Sequence, residues 1–124
     1  MRTHITVEDQ SILEKLGVEA VVLFGSHATD TASKESDFDF GILLNEDGRR
    51  KRQQNYHEYY TSVYDVIAAR VGDLNGLDVV FLDRAPLELR RHVAMHGKTL
   101  MERKAGQTAD FNTQTILLYA DFEP

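Results

Sequence analysis

One stretch, residues 23–44, constrains the possible folds more than any other part of the chain. It reads LFGSHATDTASKESDFDFGILL, in which two apolar segments flank a polar loop. The first apolar segment is the end of a longer run, residues 19–24 (EAVVLF). The β-branched and apolar side chains of this run predict a buried strand. The second segment, residues 37–44, starts with polar and apolar residues in strict alternation. This alternation predicts a second strand with one wet face and one core face.

The wet face of the second strand begins with two acids. The alternation assigns Asp37, Asp39 and Gly41 to the wet face and Phe38, Phe40 and Ile42 to the core face. Residues two apart on a strand have Cα atoms about 7 Å apart, so the two carboxylates repel each other unless a cation joins them. Mg²⁺ is the simplest such cation, because it prefers a few carboxylates together with substrate phosphates.

The rest of the chain alternates predicted helices with predicted strands. Thr6 and Gly17 suit the beginning and end of a first helix, and Pro86 and Gly97 suit those of another. The predicted helices cover residues 7–16, 49–71, 87–96 and 109–121, with a turn-rich loop at residues 45–48; the other predicted strands cover residues 77–82 and 98–102. This order predicts an α/β or α+β sandwich.

Length, charge and cysteine content narrow the class of protein. A chain of 124 residues is expected to form one domain, spanning residues 1–124. The net charge of −6 argues against stable binding of a long nucleic acid. Because we find no apolar leader and no apolar run of about 18 residues, we expect a cytoplasmic protein without a membrane span. The absence of cysteine excludes disulfides and thiolate metal sites.

A third acid and a glycine–serine pair extend the candidate site. Asp78 lies in the third predicted strand, where its side chain can face the same side as the first two acids. Three acids on adjacent strands are typical of two-metal sites for phosphoryl or nucleotidyl transfer. Gly25 and Ser26 follow the first strand. Glycine lets backbone N–H groups approach a phosphate closely, and a serine hydroxyl can bind phosphate oxygens.

The spacing of these residues resembles a known family. The matching motif is Gly25-Ser26, ten intervening residues that end in Ser36, then Asp37-Phe38-Asp39, and Asp78 on a later strand. It is similar to that of the nucleotidyltransferase superfamily of DNA polymerase β type. More narrowly, the chain resembles the minimal nucleotidyltransferase (MNT) antitoxins that accompany HEPN-domain ribonuclease toxins, and the likeness continues through LDVVFLDRAPLELRRHV to LYADF. The resemblance implies the small polymerase β-like fold, a mixed sheet flanked by helices.

The resemblance also implies a role for each matching residue. Gly25 and Ser26 would contact the β- and γ-phosphates, and Ser36 would also bind the nucleotide. Asp37 and Asp39 would hold the metal ions. Asp78 would ligate the catalytic metal and assist deprotonation of the attacking hydroxyl. The implied cofactor is Mg²⁺ and the implied substrate is ATP. The implied reaction transfers AMP to a tyrosine of a cognate HEPN toxin, which silences that ribonuclease, and a hetero-oligomer with the toxin is expected.

The chain departs from the family pattern just after the serine. Many relatives carry Arg-Gly where this chain has Thr29-Asp30. A cationic phosphate contact is then either absent or supplied by Lys34 or by the basic run at residues 49–52. Such a run is more often a solvated helix start than an anion site.

Two other patterns have ordinary structural explanations. His92 and His96 have the i, i+4 spacing of zinc ligands on a helix, but no HExxH glutamate or evident third nitrogen ligand accompanies them. We therefore expect partly exposed helix histidines. The tyrosines at positions 56, 59, 60 and 64 are predicted to pack in the core along one helix face, and contact with a partner is the alternative.

Two other functions remain open on the sequence alone. The first is an antitoxin that occludes its toxin by direct binding, without catalysis. The second is a nucleotidyltransferase that acts on a small molecule. Residues 1–124 leave no room for the second domain that usually positions a drug or nucleic-acid acceptor, which favours a separate protein as the acceptor.

Overall fold

The computed structural model describes residues 4–29, 31–32, 37–71 and 76–122. The elements in chain order are α1 Val7–Lys15, β1 Val18–Phe24, β2 Phe38–Leu44, α2 Glu46–Gln54, α3 Tyr56–Val71, β3 Leu77–Phe81, a 3-10 turn at Leu82–Arg84, α4 Leu87–His96, β4 Lys98–Glu102 and α5 Gln107–Phe122. This order confirms the predicted fold class. Within these ranges, the helices are too short or too polar to cross a membrane.

The strands form one mixed sheet in the order β3-β2-β1-β4. β1 runs antiparallel to both β2 and β4, whereas β2 runs parallel to β3. The first residues of β2 and β3 therefore meet the last residues of β1 at one end of the sheet. We call this the Gly25 end, because Gly25 directly follows β1.

An apolar core covers each face of the sheet. The larger core lies between the sheet and helices α1 and α3, where Leu13, Phe40 and Ile67 are fully buried. The smaller core contains the buried Leu82 and Val93 and lies between the sheet and helices α4 and α5. Burial of apolar surface on both faces holds the strands in a fixed register, since a slip by one residue would exchange the faces.

The predicted wet face of β2 is exposed only at its start, which corrects the expectation for Gly41. Asp37 is exposed and Asp39 is half-buried, but Gly41 is buried. The side chain of Leu82 covers Gly41, where an added Cβ would lie 3.0 Å from two Leu82 methyl carbons. Leu82 takes this position because the chain enters the 3-10 turn there, instead of continuing the strand to residue 82 as predicted.

The single helix predicted over residues 49–71 is two helices, and the predicted loop at residues 45–48 is largely helical. The side chain of Asn45 begins α2 by accepting a hydrogen bond from the Gly48 N–H at 2.9 Å. Asn55 separates the helices, since its backbone is extended with φ −156° and ψ 91°. Its side chain also accepts the Glu58 N–H at 3.2 Å. Asparagine therefore starts both helices, and apolar spacing alone did not reveal it.

The predicted ends of α1 and α4 agree with the structure to within one residue, whereas α5 begins at Gln107, two residues before its predicted start. Thr6 and Asp9 form a capping box in which each side chain accepts the backbone N–H of the other residue. Gly17 follows α1 with φ +84°, a conformation that favours glycine. α4 ends at His96 before Gly97, and β4 spans residues 98–102, as predicted.

Candidate active site

The three predicted acids lie together at the Gly25 end of the sheet. Asp39 is the central one, because its Cα pairs with that of Phe24 on β1 and with that of Asp78 on β3. Paired residues on neighbouring strands face the same side at a strand spacing of about 4.8 Å. Asp39 and Asp78 are therefore neighbours on the face that α4 covers farther along. Asp37 is exposed just before β2.

Gly25 allows the carboxylate of Asp39 to come close to the end of β1. The backbone of Gly25 has φ +77°, which L side chains rarely adopt. A Cβ on this residue would also lie well inside 3.0 Å of the Oδ2 atom of Asp39. Glycine is thus required here both by backbone conformation and by the position of the acid.

A second glycine, Gly76, lies in the same way against Asp37. An added Cβ at Gly76 would be 2.6 Å from Oδ1 of Asp37. The carbonyl of Gly76 accepts a hydrogen bond from the N–H of Phe38 at 3.0 Å, which holds the start of β2 against the approach to β3. The motif does not include Gly76, and its role emerges only from the parallel pairing of these strands.

The electrostatics at Asp39 reflect its crowded position among acids. Burial raises the pKa of Asp39, and the charges of Asp78 and Asp37 raise it further. The positive charges of His27 and His92 act in the opposite direction and lower this pKa. Ionisation of Asp39 is therefore less favourable than that of a free aspartate, and a cation beside it would relieve the repulsion.

The donor set suits Mg²⁺ by its chemistry. Across the described ranges, no three histidine or acidic side chains are gathered closely enough to hold a metal ion in their present conformations. Mg²⁺ commonly takes only one or two carboxylates, however, and completes its shell with water and substrate phosphates. The carboxylates of Asp37 and Asp39 fit that requirement, because the like-charge repulsion around Asp39 is what a bound divalent cation offsets.

The loop after Gly25 consists of tight turns at residues 26–29. The N–H of Thr31 donates to the carbonyl of Ser26 at 3.0 Å, and the hydroxyls of Thr29 and Thr31 are hydrogen-bonded at 2.9 Å. Thr29 is exposed and uncharged, so it provides no cation for a phosphate. The predicted nucleotide-binding Ser36, and also Asp30 and Lys34, lie outside the described residues.

The basic run at residues 49–52 lies at the other end of the sheet. It follows the end of β2 at Leu44, and the five residue-to-residue steps from Asp39 to Leu44 span about 17 Å. The Arg52 side chain is only 4% exposed, forms a two-bond ion pair with Asp83 at 2.7 Å and stacks over Phe81. The expectation of a solvated run is therefore wrong for Arg52, and the structure places the run away from the acids.

Two histidines lie near the acids although the motif does not include them. The ring of His27 stacks on Phe38 with ring centroids 3.6 Å apart, and the ring of His92 meets Phe24 edge-on at 6.5 Å. His27 directly follows the Gly-Ser pair, so its position could have been inferred from the sequence. His92 comes from α4, and only the tertiary structure brings it near Asp39. His92 and His96 are both exposed, which confirms the expectation of exposed helix histidines.

The tyrosines of α3 divide between core and surface. Tyr59 is buried and its hydroxyl donates to the carbonyl of Leu16 at 2.7 Å, while burial raises its pKa to about 12. Tyr60 and Tyr64 pack against the same core. Tyr56 is 58% exposed. Core packing is thus confirmed for most of the group, and Tyr56 is an exception.

Known proteins resemble this chain in sequence and in fold. Residues 9–106 match the family "Polymerase beta, Nucleotidyltransferase". The chain is 28% identical over 102 residues to the protein adenylyltransferase MntA of Aphanizomenon flos-aquae. The aligned region covers 81% of this chain and 67% of that protein. It is also similar in fold to a chain from a crystal structure of a toxin–antitoxin with AMP-PNP, with a TM-score of 0.62, 22% identity and coverage of 94% of this chain and 89% of that one.

A second solved structure has the same fold. It contains a tri-AMPylated HEPN toxin of Shewanella oneidensis in complex with an MNT antitoxin, and the matching chain has a TM-score of 0.55 at 19% identity. The match covers 92% of this chain and 86% of that one. At these identities the solved structures establish the fold, and the family match over most of the chain establishes descent. The chain belongs to the polymerase beta nucleotidyltransferase family.

Proposed function

We propose that this protein is a Mg²⁺-dependent adenylyltransferase that transfers AMP from ATP to a tyrosine of a cognate HEPN toxin and thereby acts as its antitoxin. The observation that carries the proposal is the position of Asp39, between the glycine that ends β1 and the acid Asp78 on β3. Family membership supports the reaction class. The adenylyltransferase and toxin–antitoxin relatives support the acceptor.

The proposed roles are those that the family resemblance implies for each residue. Asp37 and Asp39 would hold the metal, which when bound neutralises phosphate charge and orients the triphosphate. Gly25, Ser26 and Ser36 would bind the nucleotide. The acceptor hydroxyl oxygen forms a bond to the α-phosphorus, the bond from that phosphorus to pyrophosphate breaks, and the pyrophosphate leaves. Asp78 is exposed beside Asp39, where its carboxylate can accept the proton of the attacking hydroxyl.

The acceptor is proposed to be a separate protein, bound in a hetero-oligomer. Residues 1–124 are proposed to form one nucleotidyltransferase domain, and the partner is proposed to position the acceptor hydroxyl. We propose a cytoplasmic location, where both ATP and the RNA substrates of such a toxin are present.

The direct test uses ATP labelled either in the α-phosphate or in the γ-phosphate, incubated with Mg²⁺, the protein and the co-encoded toxin. We expect the toxin to acquire the α label but not the γ label, and we expect Asp39→Ala to abolish the labelling. Transfer of the γ label would indicate a kinase. No labelling of the toxin, or equal labelling by Asp39→Ala, would overturn the proposal.

A second candidate function, occlusion of the toxin without catalysis, is favoured by exposed apolar residues on α5. Ile116, Leu117 and Leu118 are all exposed, Leu117 by 63%, which suits contact with a protein. A toxin-neutralisation assay separates the two functions. Full protection by the double variant Asp37→Ala/Asp39→Ala would favour occlusion, whereas loss of protection by a variant that still binds the toxin would favour AMP transfer.

A further inference from the structure

His92 lies beside the candidate site although it is distant from the motif in sequence. It is exposed on α4, which packs on the sheet face that carries Asp39 and Asp78. Its ring meets the edge of Phe24, and Phe24 is the strand partner of Asp39. The side chain therefore projects at the margin of the acid cluster, from a helix that the core holds in place through the buried Val93.

A cation or hydrogen-bond donor beyond those of the loop would help the candidate site to hold a triphosphate. A triphosphate carries several negative charges, and three aspartates already surround the position where it would bind. Thr29 is uncharged, and residues 49–52 lie at the far end of β2, where Arg52 is paired with Asp83. His92 can supply a donor, because each ring nitrogen that carries a proton donates a hydrogen bond.

We propose that His92 binds a phosphate oxygen of ATP through an imidazole N–H, from the α4 side of the site. This inference rests on the proposed function, because it requires that ATP be bound at the acids. His92 then holds the triphosphate from the helix side, while the loop at Gly25 and Ser26 holds it from the end of β1. It is a nucleotide-binding residue that the Gly-Ser and Asp-x-Asp motif does not contain.

His27 is the less suitable histidine for this role. Its ring lies flat on Phe38, with an angle of 9° between the ring planes, and Phe38 is buried in the larger core. Replacing His27 would uncover that ring and alter the start of β2, so any loss of nucleotide affinity would be mixed with a loss of packing. His92 is exposed and meets only the edge of the Phe24 ring, and its other ring contact, with His96, is also exposed, so its replacement leaves the core intact.

The test compares the binding of ATP and of adenosine, each with Mg²⁺, by titration calorimetry without toxin. We expect His92→Ala to weaken ATP binding about tenfold, the usual size of the loss of a hydrogen bond to a charged group, and to leave adenosine binding unchanged. His92→Gln keeps an N–H donor and should lose less affinity for ATP than His92→Ala. His96→Ala is the matched control, because His96 is exposed one turn away on the same helix, and it should bind ATP as the wild type does.

The outcomes separate this inference from the proposed function. If the wild type binds ATP and His92→Ala binds it equally tightly, the inference is wrong and the proposed function stands. An equal loss of ATP and adenosine affinity in His92→Ala would also overturn it, because the contact would then be with the nucleoside. If the wild type fails to bind ATP, both the proposed function and the inference are wrong.

Discussion

The carboxylate of Asp39 lies so close to the Cα of Gly25 that position 25 has no room for a side chain. This contact joins the end of β1 to the start of β2 across a loop that carries Ser26. The candidate phosphate-binding turn and the candidate metal ligand are thus in direct contact. Any residue other than glycine at position 25 would displace one of them.

Gly25→Ala should therefore abolish nucleotide binding and reduce stability by more than its backbone strain alone. A left-handed backbone conformation costs an L residue about 1–2 kcal/mol. Gly106→Ala is the control, because Gly106 has φ +93° but an added Cβ would meet nothing within 4 Å. We expect similar strain in both variants and loss of ATP binding only in Gly25→Ala. Urea unfolding and ATP titration measure the two effects, and normal ATP binding by Gly25→Ala would contradict the assigned contact.

Asp39→Asn should make the metal-free protein more stable while it abolishes AMP transfer. The variant removes a charge that Asp78 and Asp37 repel, which is worth about 0.5 kcal/mol for neighbouring strand residues. The pKa of Asp39 in the folded protein is raised above 3.8. Proton binding to Asp39 therefore stabilises the folded state below pH 3.8, and this stabilisation is lost as the pH rises through the folded-state pKa. The advantage of Asp39→Asn should thus be largest near neutral pH and disappear towards about pH 3.

Urea unfolding in chelator at several pH values measures this difference. Added Mg²⁺ should then stabilise the wild type and leave Asp39→Asn unchanged, because only the wild type offers both carboxylates of the Asp37–Asp39 pair. A wild type that is more stable than Asp39→Asn in chelator at neutral pH would show that the acids do not repel each other in the folded protein.

The acid cluster was predictable because strand alternation and motif spacing are local properties of the sequence. Asp37 and Asp39 share a side by the period of two, and the pairing with Asp78 needs only a parallel neighbour. The structure adds Gly76 and His92, which are brought to the acids by the crossover to β3 and by the packing of α4. Long-range pairing of this kind is not visible in residue spacing.

The errors of prediction also have physical causes. The apolar repeat begins at Tyr56 and gives no signal in residues 49–55, so the break between α2 and α3 depended on an asparagine cap that such a repeat does not report. Charge composition suggested a solvated run at residues 49–52, but the Arg52 guanidinium is buried because Asp83, 31 residues away, pairs with it. Gly41 was expected to face water, but Leu82, the first residue of the turn after β3, covers it.

Asp83→Ala should destabilise the protein strongly without affecting the site. The variant leaves the buried guanidinium of Arg52 without its partner. Removal of one member of a buried ion pair lowers the free energy of unfolding by about 3 kcal/mol. Arg52 lowers the pKa of Asp83, so the stabilisation is present above pH 3.8 and is lost as the pH falls through the folded-state pKa. Urea unfolding at neutral pH measures the loss, and ATP affinity at low temperature should be unchanged.

The control for this prediction is Asp47→Ala. Asp47 pairs with Arg50 and Lys51 on the exposed side of α2, where ion pairs contribute little. We expect Asp47→Ala to change the free energy of unfolding far less than Asp83→Ala does. Equal losses of stability in Asp47→Ala and Asp83→Ala would mean that burial of Arg52 does not determine the strength of its pair.

Tyr59→Phe should cost about 1 kcal/mol, because the carbonyl of Leu16 loses its 2.7 Å hydrogen bond at the end of α1. The pKa of Tyr59 is raised to about 12, so the stability that the protonated hydroxyl provides is complete below pH 10 and is lost as the pH rises through about 12. An ultraviolet titration of the folded wild type should show a tyrosine that ionises near pH 12 and is missing from Tyr59→Phe. Ionisation of every tyrosine near pH 10 would contradict the buried hydrogen bond.

The central claim, that the acids at the Gly25 end transfer AMP to a partner toxin, is tested most directly by the intact mass of that toxin. The toxin is purified from cells that co-express either the wild type or Asp37→Ala/Asp39→Ala, with equal amounts of both proteins verified. We predict that the toxin gains the mass of one or more AMP groups with the wild type and none with the double variant. A toxin of unmodified mass that is nevertheless neutralised by the wild type would contradict the claim.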